Sequence, residues 1–88
     1  MAKYKTRATT EVISNSKTVV NDGFSGIYLK NIGQDVCNII DNITVEPGET
    51  FSWTNEPNVV IADNLQINFA NVETDKRIIL MKTYFQEL

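Results

Sequence analysis

No stretch of this chain sustains a helical period. β-Branched and aromatic residues arrive instead in runs of four to eight, bounded by Asn, Asp and Gly. That pattern constrains the fold more than any other feature, because a two-residue repeat sends alternate side chains to opposite faces of a strand. Asn, Thr and Asp abound, and they favour turns and strands over helix interiors. The expectation is an all-β chain.

Residues 3 to 13 alternate loosely, with Tyr4, Thr6, Ala8, Thr10 and Val12 on one parity and Lys5, Arg7, Thr9 and Glu11 on the other. This reads as an edge strand or an extended arm. Ser14-Asn15-Ser16 breaks it, and Thr18-Val19-Val20 resumes a short strand. Asn21-Asp22-Gly23 is a turn, since Asp-Gly takes the positive φ values of tight hairpins. Phe24 to Leu29 follows as a strand with Gly26 at a bulge position. Asn31 to Asp35 turns the chain again.

Val36 to Ile40 and Ile43 to Val45 flank a two-residue turn, Asp41-Asn42. Glu46-Pro47-Gly48-Glu49 sets Pro second and Gly third, the arrangement of a type II turn. Phe51 and Trp53 then share one face and are expected in the core. Val59 to Ala62 reads as a short apolar strand. Leu65-Gln66-Ile67-Asn68-Phe69 alternates cleanly, with Leu65, Ile67 and Phe69 buried. The last strand, Arg77 to Phe85, carries Ile78, Leu80 and Tyr84 on one face and Ile79, Met81 and Phe85 on the other. A strand apolar on both faces is covered on both sides or covered by another subunit.

Seven to nine strands without a crossover helix imply a sandwich or barrel. With 88 residues the chain makes one domain. A domain of this size removes only about 60–65% of its surface from water and gains from a partner.

Composition excludes whole chemistries. Without His there is no Ser-His-Asp or Cys-His pair, no His-ligated metal and no imidazole switch. The single Cys37 makes neither an internal disulfide nor a cysteine zinc site, and reads as a buried structural thiol. A net charge of −3 argues against a phosphate-binding surface. The basic start is followed by polar Ala8-Thr9-Thr10-Glu11, so no secretion signal is expected. The longest apolar run, Ile78 to Met81, is far shorter than the ~20 residues that cross a bilayer.

Among candidate sites, Glu46, Glu49, Asp63 and Glu73 read as solvated turn acids, because acid–base catalysis needs a carboxyl with a burial-raised pKa. Asp22, Asp35, Asp41 and Asp63 are oxygen donors without a calcium-loop pattern. Tyr28, Trp53 and Tyr84 are candidates for a stacking platform in a ligand-binding module, for example one for carbohydrate or adhesion. Lys3, Lys5, Arg7 and Lys17 make the first 17 residues basic against Glu11, while acids dominate residues 35 to 75. Such a segment reads either as a solvated tail or as an arm that reaches an acidic patch on an adjacent copy.

The segments Ile27-Tyr28-Leu29-Lys30-Asn31-Ile32-Gly33 and Ile43-Thr44-Val45-Glu46-Pro47-Gly48-Glu49-Thr50-Phe51-Ser52-Trp53 resemble a pattern in small all-β virion proteins of tailed bacteriophages. Cupins and several immunoglobulin-like modules share the Pro-Gly-Glu turn, but the metal-binding histidines of cupins are absent here. The resemblance covers under half the chain, and its meaning is mechanical: Asn31 and Gly33 end a strand, while Pro47 and Gly48 reverse the chain. It implies an auxiliary capsid (decoration) or head–tail component, made in the host cytoplasm and residing in the virion.

The combined expectation is a single compact antiparallel β-sandwich, jelly-roll or immunoglobulin-like, over residues 18–88, with residues 1–17 as an N-terminal arm or edge strand. It is expected to be non-enzymatic, without cofactor or metal, and without nucleic-acid or membrane partners. Its expected partners are copies of itself or capsid proteins, in a homo-oligomer or bound to a lattice. Lys3, Tyr4, Lys5, Arg7, Ile79, Met81 and Phe85 are the expected contact residues.

Overall fold

The computed structural model describes residues 3–40, 42–57 and 59–88. Among them are eight strands: β1 (Tyr4–Ile13), β2 (Lys17–Val19), β3 (Gly26–Asn31), β4 (Cys37–Ile39), β5 (Ile43–Val45), β6 (Thr50–Thr54), β7 (Leu65–Phe69) and β8 (Ile78–Glu87). They form two four-stranded sheets in the orders β1-β8-β3-β6 and β2-β7-β4-β5. Pairing is nested and antiparallel: β1 with β8, β2 with β7, β3 with β6 and β4 with β5. The chain therefore behaves as one long hairpin wound around a common interior.

That interior follows the two-residue period. Leu65, Ile67 and Phe69 point inward from β7, Ile27 and Leu29 from β3, and Ile78 and Leu80 from β8. Phe24 and Ile61 join them from loops, both at most 1% exposed. Each such side chain contributes about 1.5–3 kcal/mol relative to remaining in water.

Three local devices close the ends of the sandwich. Glu46 to Glu49 forms the expected type II turn: Glu49 donates to the Glu46 carbonyl at 2.9 Å, and Gly48 has φ 85°. Fully buried Asn31 donates to the Asp35 and Val45 carbonyls at 2.6 and 3.1 Å and accepts from the Gly33 N–H at 3.1 Å. It thereby ties the end of β3 to both neighbouring crossovers. Gly33 is pressed against the chain before β8, where a Cβ would stand 2.5 Å from the Asp75 carbonyl oxygen.

Several expectations are corrected. Asp22-Gly23 does turn, with Gly23 at φ 96°, but β2 and β3 lie in different sheets, so the turn spans the sandwich instead of closing a hairpin. Strand β3 begins at Gly26, which keeps register with Thr54 and Thr83, so Gly26 is not a bulge. Ile39 pairs with Ile43, and Ile40, expected in the strand, lies beyond β4 at φ 50°. The Asp41 half of the expected two-residue turn lies outside the described residues. Val59 to Ala62 is not a strand: Val59 and Val60 are each 50% exposed, and Ile61 alone reaches the core. Phe51 and Trp53 do point inward, but β6 is an edge strand and leaves both half-buried against the core.

Residues 4–13 form the edge strand β1, paired along its length with β8. Because β3 begins opposite Thr83, Tyr84 to Glu87 pair with β1 alone, and the two strands run on as a ribbon. The molecule measures 49 × 20 × 17 Å with a radius of gyration of 13.9 Å. A compact chain of this length has a radius of about 12 Å.

Candidate functional site

Facing residues in an antiparallel ladder share a side of the sheet, so the register fixes the outer surface of the β1-β8-β3-β6 sheet. Ile13 stands opposite Ile78 and Glu11 opposite Leu80 on the inward side. The other parity therefore looks outward. One row runs Val12, Ile79, Lys30; the next runs Thr10, Met81, Tyr28; further along the ribbon Phe85 stands opposite Thr6. Val12 is 59% exposed, and Tyr28, Ile79, Met81 and Phe85 are half-buried. The result is a mostly apolar strip running obliquely over the central strand. β8 is thus central within its sheet but covered on one face only in a single copy.

The expected contact residues divide between two sides. Tyr4, Ile79, Met81 and Phe85 lie on the outer side. Lys5 and Arg7 lie on the opposite parity, beside Gln86 and Tyr84, and Lys3, Lys5 and Arg7 are all exposed. Arg7, Ala8, Thr9, Tyr84, Phe85 and Gln86 line an open depression of about 390 Å³ on this ribbon. Val12 completes the outer strip, and its parity with Tyr4 in the sequence was the available signal. Which parity faced outward depended on pairing with β8.

Tyr28, Trp53 and Tyr84 do not make one platform. Tyr28 points outward, whereas Trp53 and Tyr84 have the inward parity and pack against the core. The Tyr84 hydroxyl meets the Asp22 carboxylate at 3.0 Å, and Lys82 reaches Asp22 at 3.3 Å. Lys82 also stands 5.3 Å from the centre of the Phe24 ring. These groups cap the open end of the interior with polar tips. Burial, then the hydrogen bond and charge of Asp22, raise the Tyr84 pKa against a hydrogen bond with Thr9.

Asp35 and Glu49 hold backbone N–H groups. Asp35, 1% exposed, accepts from the backbone N–H groups of Asn71, Val72 and Glu73 at 2.9–3.1 Å. Burial opposes its charge, but these donors, with Lys76 nearby, outweigh that penalty and lower its pKa. Glu49 accepts from the Glu46 N–H at 2.9 Å within its own turn. Asp63 is exposed, and Asp41 lies outside the described residues. Among the described residues, no three His, Cys, Asp or Glu side chains are grouped to hold a metal ion. Burial, reinforced by the Asp35 charge, raises the Cys37 pKa to about 11, so its thiol is held protonated at neutral pH.

No protein-family model matches this chain, and no curated protein matches its sequence.

Proposed function

We propose that this chain is a non-enzymatic structural protein of a tailed-phage virion, an auxiliary capsid or head–tail component, which docks through the outer face of β1, β8 and β3. The observation that carries the reading is the strip of Val12, Ile79, Met81, Tyr28 and Phe85 on one side of a continuous sheet. Half-buried apolar side chains gathered on one face gain by being covered, and a lattice offers many identical surfaces to cover them. The nested strand order supports a jelly roll, an architecture common among capsid proteins. An immunoglobulin-type sandwich groups its first strand with its second, fourth and fifth, unlike the order here.

The test is co-sedimentation with empty capsids, assembled from whichever capsid gene lies beside the gene for this chain. The wild-type chain is expected to pellet with the shells, and Met81→Glu to remain in the supernatant with an unchanged circular dichroism spectrum. Equal pelleting of the two overturns the assignment of the face. A wild-type chain that ignores the shells, from a genome without capsid or portal genes nearby, overturns the function.

A further inference from the structure

The remaining unexplained feature is the outer edge of β1, which among the described residues pairs with no other strand. At ten residues it is far longer than the other edge strands, β6 with five and β2 and β5 with three each. Long edges invite pairing and are usually blunted by Pro, a bulge, shortness or charged side chains, and β1 has only the last of these, in Lys5, Arg7 and Glu11. Strand β1 contains no Pro or Gly and keeps unbroken register with β8.

The direction of its backbone groups follows from the ladder. Leu88 donates to the Lys3 carbonyl at 2.9 Å, one step beyond the Tyr4–Glu87 pair. Bonded and non-bonded pairs alternate in antiparallel sheets, so the odd-numbered residues of β1 turn their N–H and C=O toward β8. Thr6, Ala8, Thr10 and Val12 turn theirs to the free edge. The Ser25 N–H bond to the Thr83 carbonyl agrees, since it turns Thr83, opposite Ala8, toward β3.

We infer that β1 pairs antiparallel with β1 of a second copy about a two-fold axis at Ala8, joining the two sheets into one eight-stranded sheet. This deepens the docking reading, and rests on it in treating the chain as built to assemble. The register is chosen by charge and by face. With the axis at Ala8, Lys5 stands opposite Glu11 of the second copy, whose carboxylate also meets Lys17 of its own chain at 3.1 Å, and the symmetry repeats that contact. Thr6 then faces Thr10, and Tyr4 faces Val12 on the outer side. Moving the axis to Arg7 stacks Arg7 on itself. Moving it to Thr9 pairs Arg7 with Glu11, but sets Lys5 against Ile13, a core residue 4% exposed, and Tyr4 against Ser14. Such an interface is isologous and closes as a dimer. It also makes the two outer apolar strips continuous.

The experiment uses the full chain in the high micromolar range. Ala8→Cys is expected to form a covalent dimer under mild oxidation, because bonded antiparallel partners have Cα atoms about 5.5 Å apart. Thr10→Cys, also exposed but set against Thr6, is expected to remain uncrosslinked. Ala8→Pro removes only an edge-facing N–H, so it should abolish the dimer while leaving the circular dichroism spectrum intact. Lys5→Glu should weaken dimerisation about tenfold, and K5E/E11K/K17E, which also reverses the Lys17 partner of Glu11, should restore it to within about threefold. A monomeric wild-type chain, equal crosslinking of Ala8→Cys and Thr10→Cys, or failure of the charge reversal to restore the dimer overturns the pairing. Capsid binding by a chain that stays monomeric overturns the pairing alone; an Ala8-centred dimer that ignores capsids overturns only the virion reading.

Discussion

Replacing Asn31 tests whether the fold depends on its hydrogen-bond donors or merely on its volume. The side chain is fully buried and makes three hydrogen bonds: two donated, to the Asp35 and Val45 carbonyls, and one accepted from Gly33. Asn31→Ala removes all three, worth about 1 kcal/mol each, and strands buried polar groups at a further cost. The expected loss is therefore about 3–5 kcal/mol. A domain of this size has a total stability of about 4–13 kcal/mol. At roughly 4–8 °C per kcal/mol, the melting temperature should fall by about 12 °C or more. Asn31→Asp keeps the shape and the acceptor for Gly33 but sets a carboxylate oxygen, in place of the amide nitrogen, against two carbonyl oxygens, so at pH 7 it should be at least as damaging as Ala. Thermal and urea melts followed by circular dichroism measure both. An Asn31→Asp protein within about 1 kcal/mol of wild type refutes the argument, because shape would then suffice.

Other expectations follow from the same contacts. Gly33→Ala should cost about 2 kcal/mol or more, since a Cβ 2.5 Å from the Asp75 carbonyl oxygen forces backbone to move, whereas Gly26→Ala meets nothing nearer than 3.5 Å and should melt close to wild type. Asp35 has a lowered folded pKa, so its contribution is present above its unfolded value of about 3.8 and lost as pH falls through the folded one. Urea melts between about pH 5 and pH 2 should accordingly show a shallower acid loss in Asp35→Asn, from a lower starting stability. Cys37, raised from 9.0 to about 11, contributes stability below pH 9 that is lost as pH climbs toward 11. Its thiol should resist aromatic disulfide reagents at about pH 8 until urea unfolds the chain, and rapid native labelling would contradict its burial.

What the sequence made legible was local. Leu65, Ile67 and Phe69 alternate, and the structure buries all three; Pro47-Gly48 carries its turn type within four residues. Sheet membership is not local. Asp22-Gly23 announced a turn, but its partners depended on strands far apart in the chain, and the same holds for which parity of β1 faced solvent. Val59 and Val60 look like strand residues, yet among the described residues no neighbouring strand pairs with them. Ile79, Met81 and Phe85 sharing a face followed from spacing alone, whereas the separation of Tyr28 from Trp53 and Tyr84 required the β3–β6 and β3–β8 registers. Asn31 read as a strand terminator. Its clamp between two crossovers joins residues up to 14 positions apart and had no local signature.

The docking claim is tested most directly by methionine footprinting. Met81 sits in the middle of the outer strip, so its peroxide oxidation can be followed by mass spectrometry in the free chain and in purified virions. Detection of the chain in virions, with Met81 oxidising at least several-fold more slowly there than in solution, is the predicted result. Virions that lack the chain, or that leave Met81 as reactive as in the isolated protein, would contradict it.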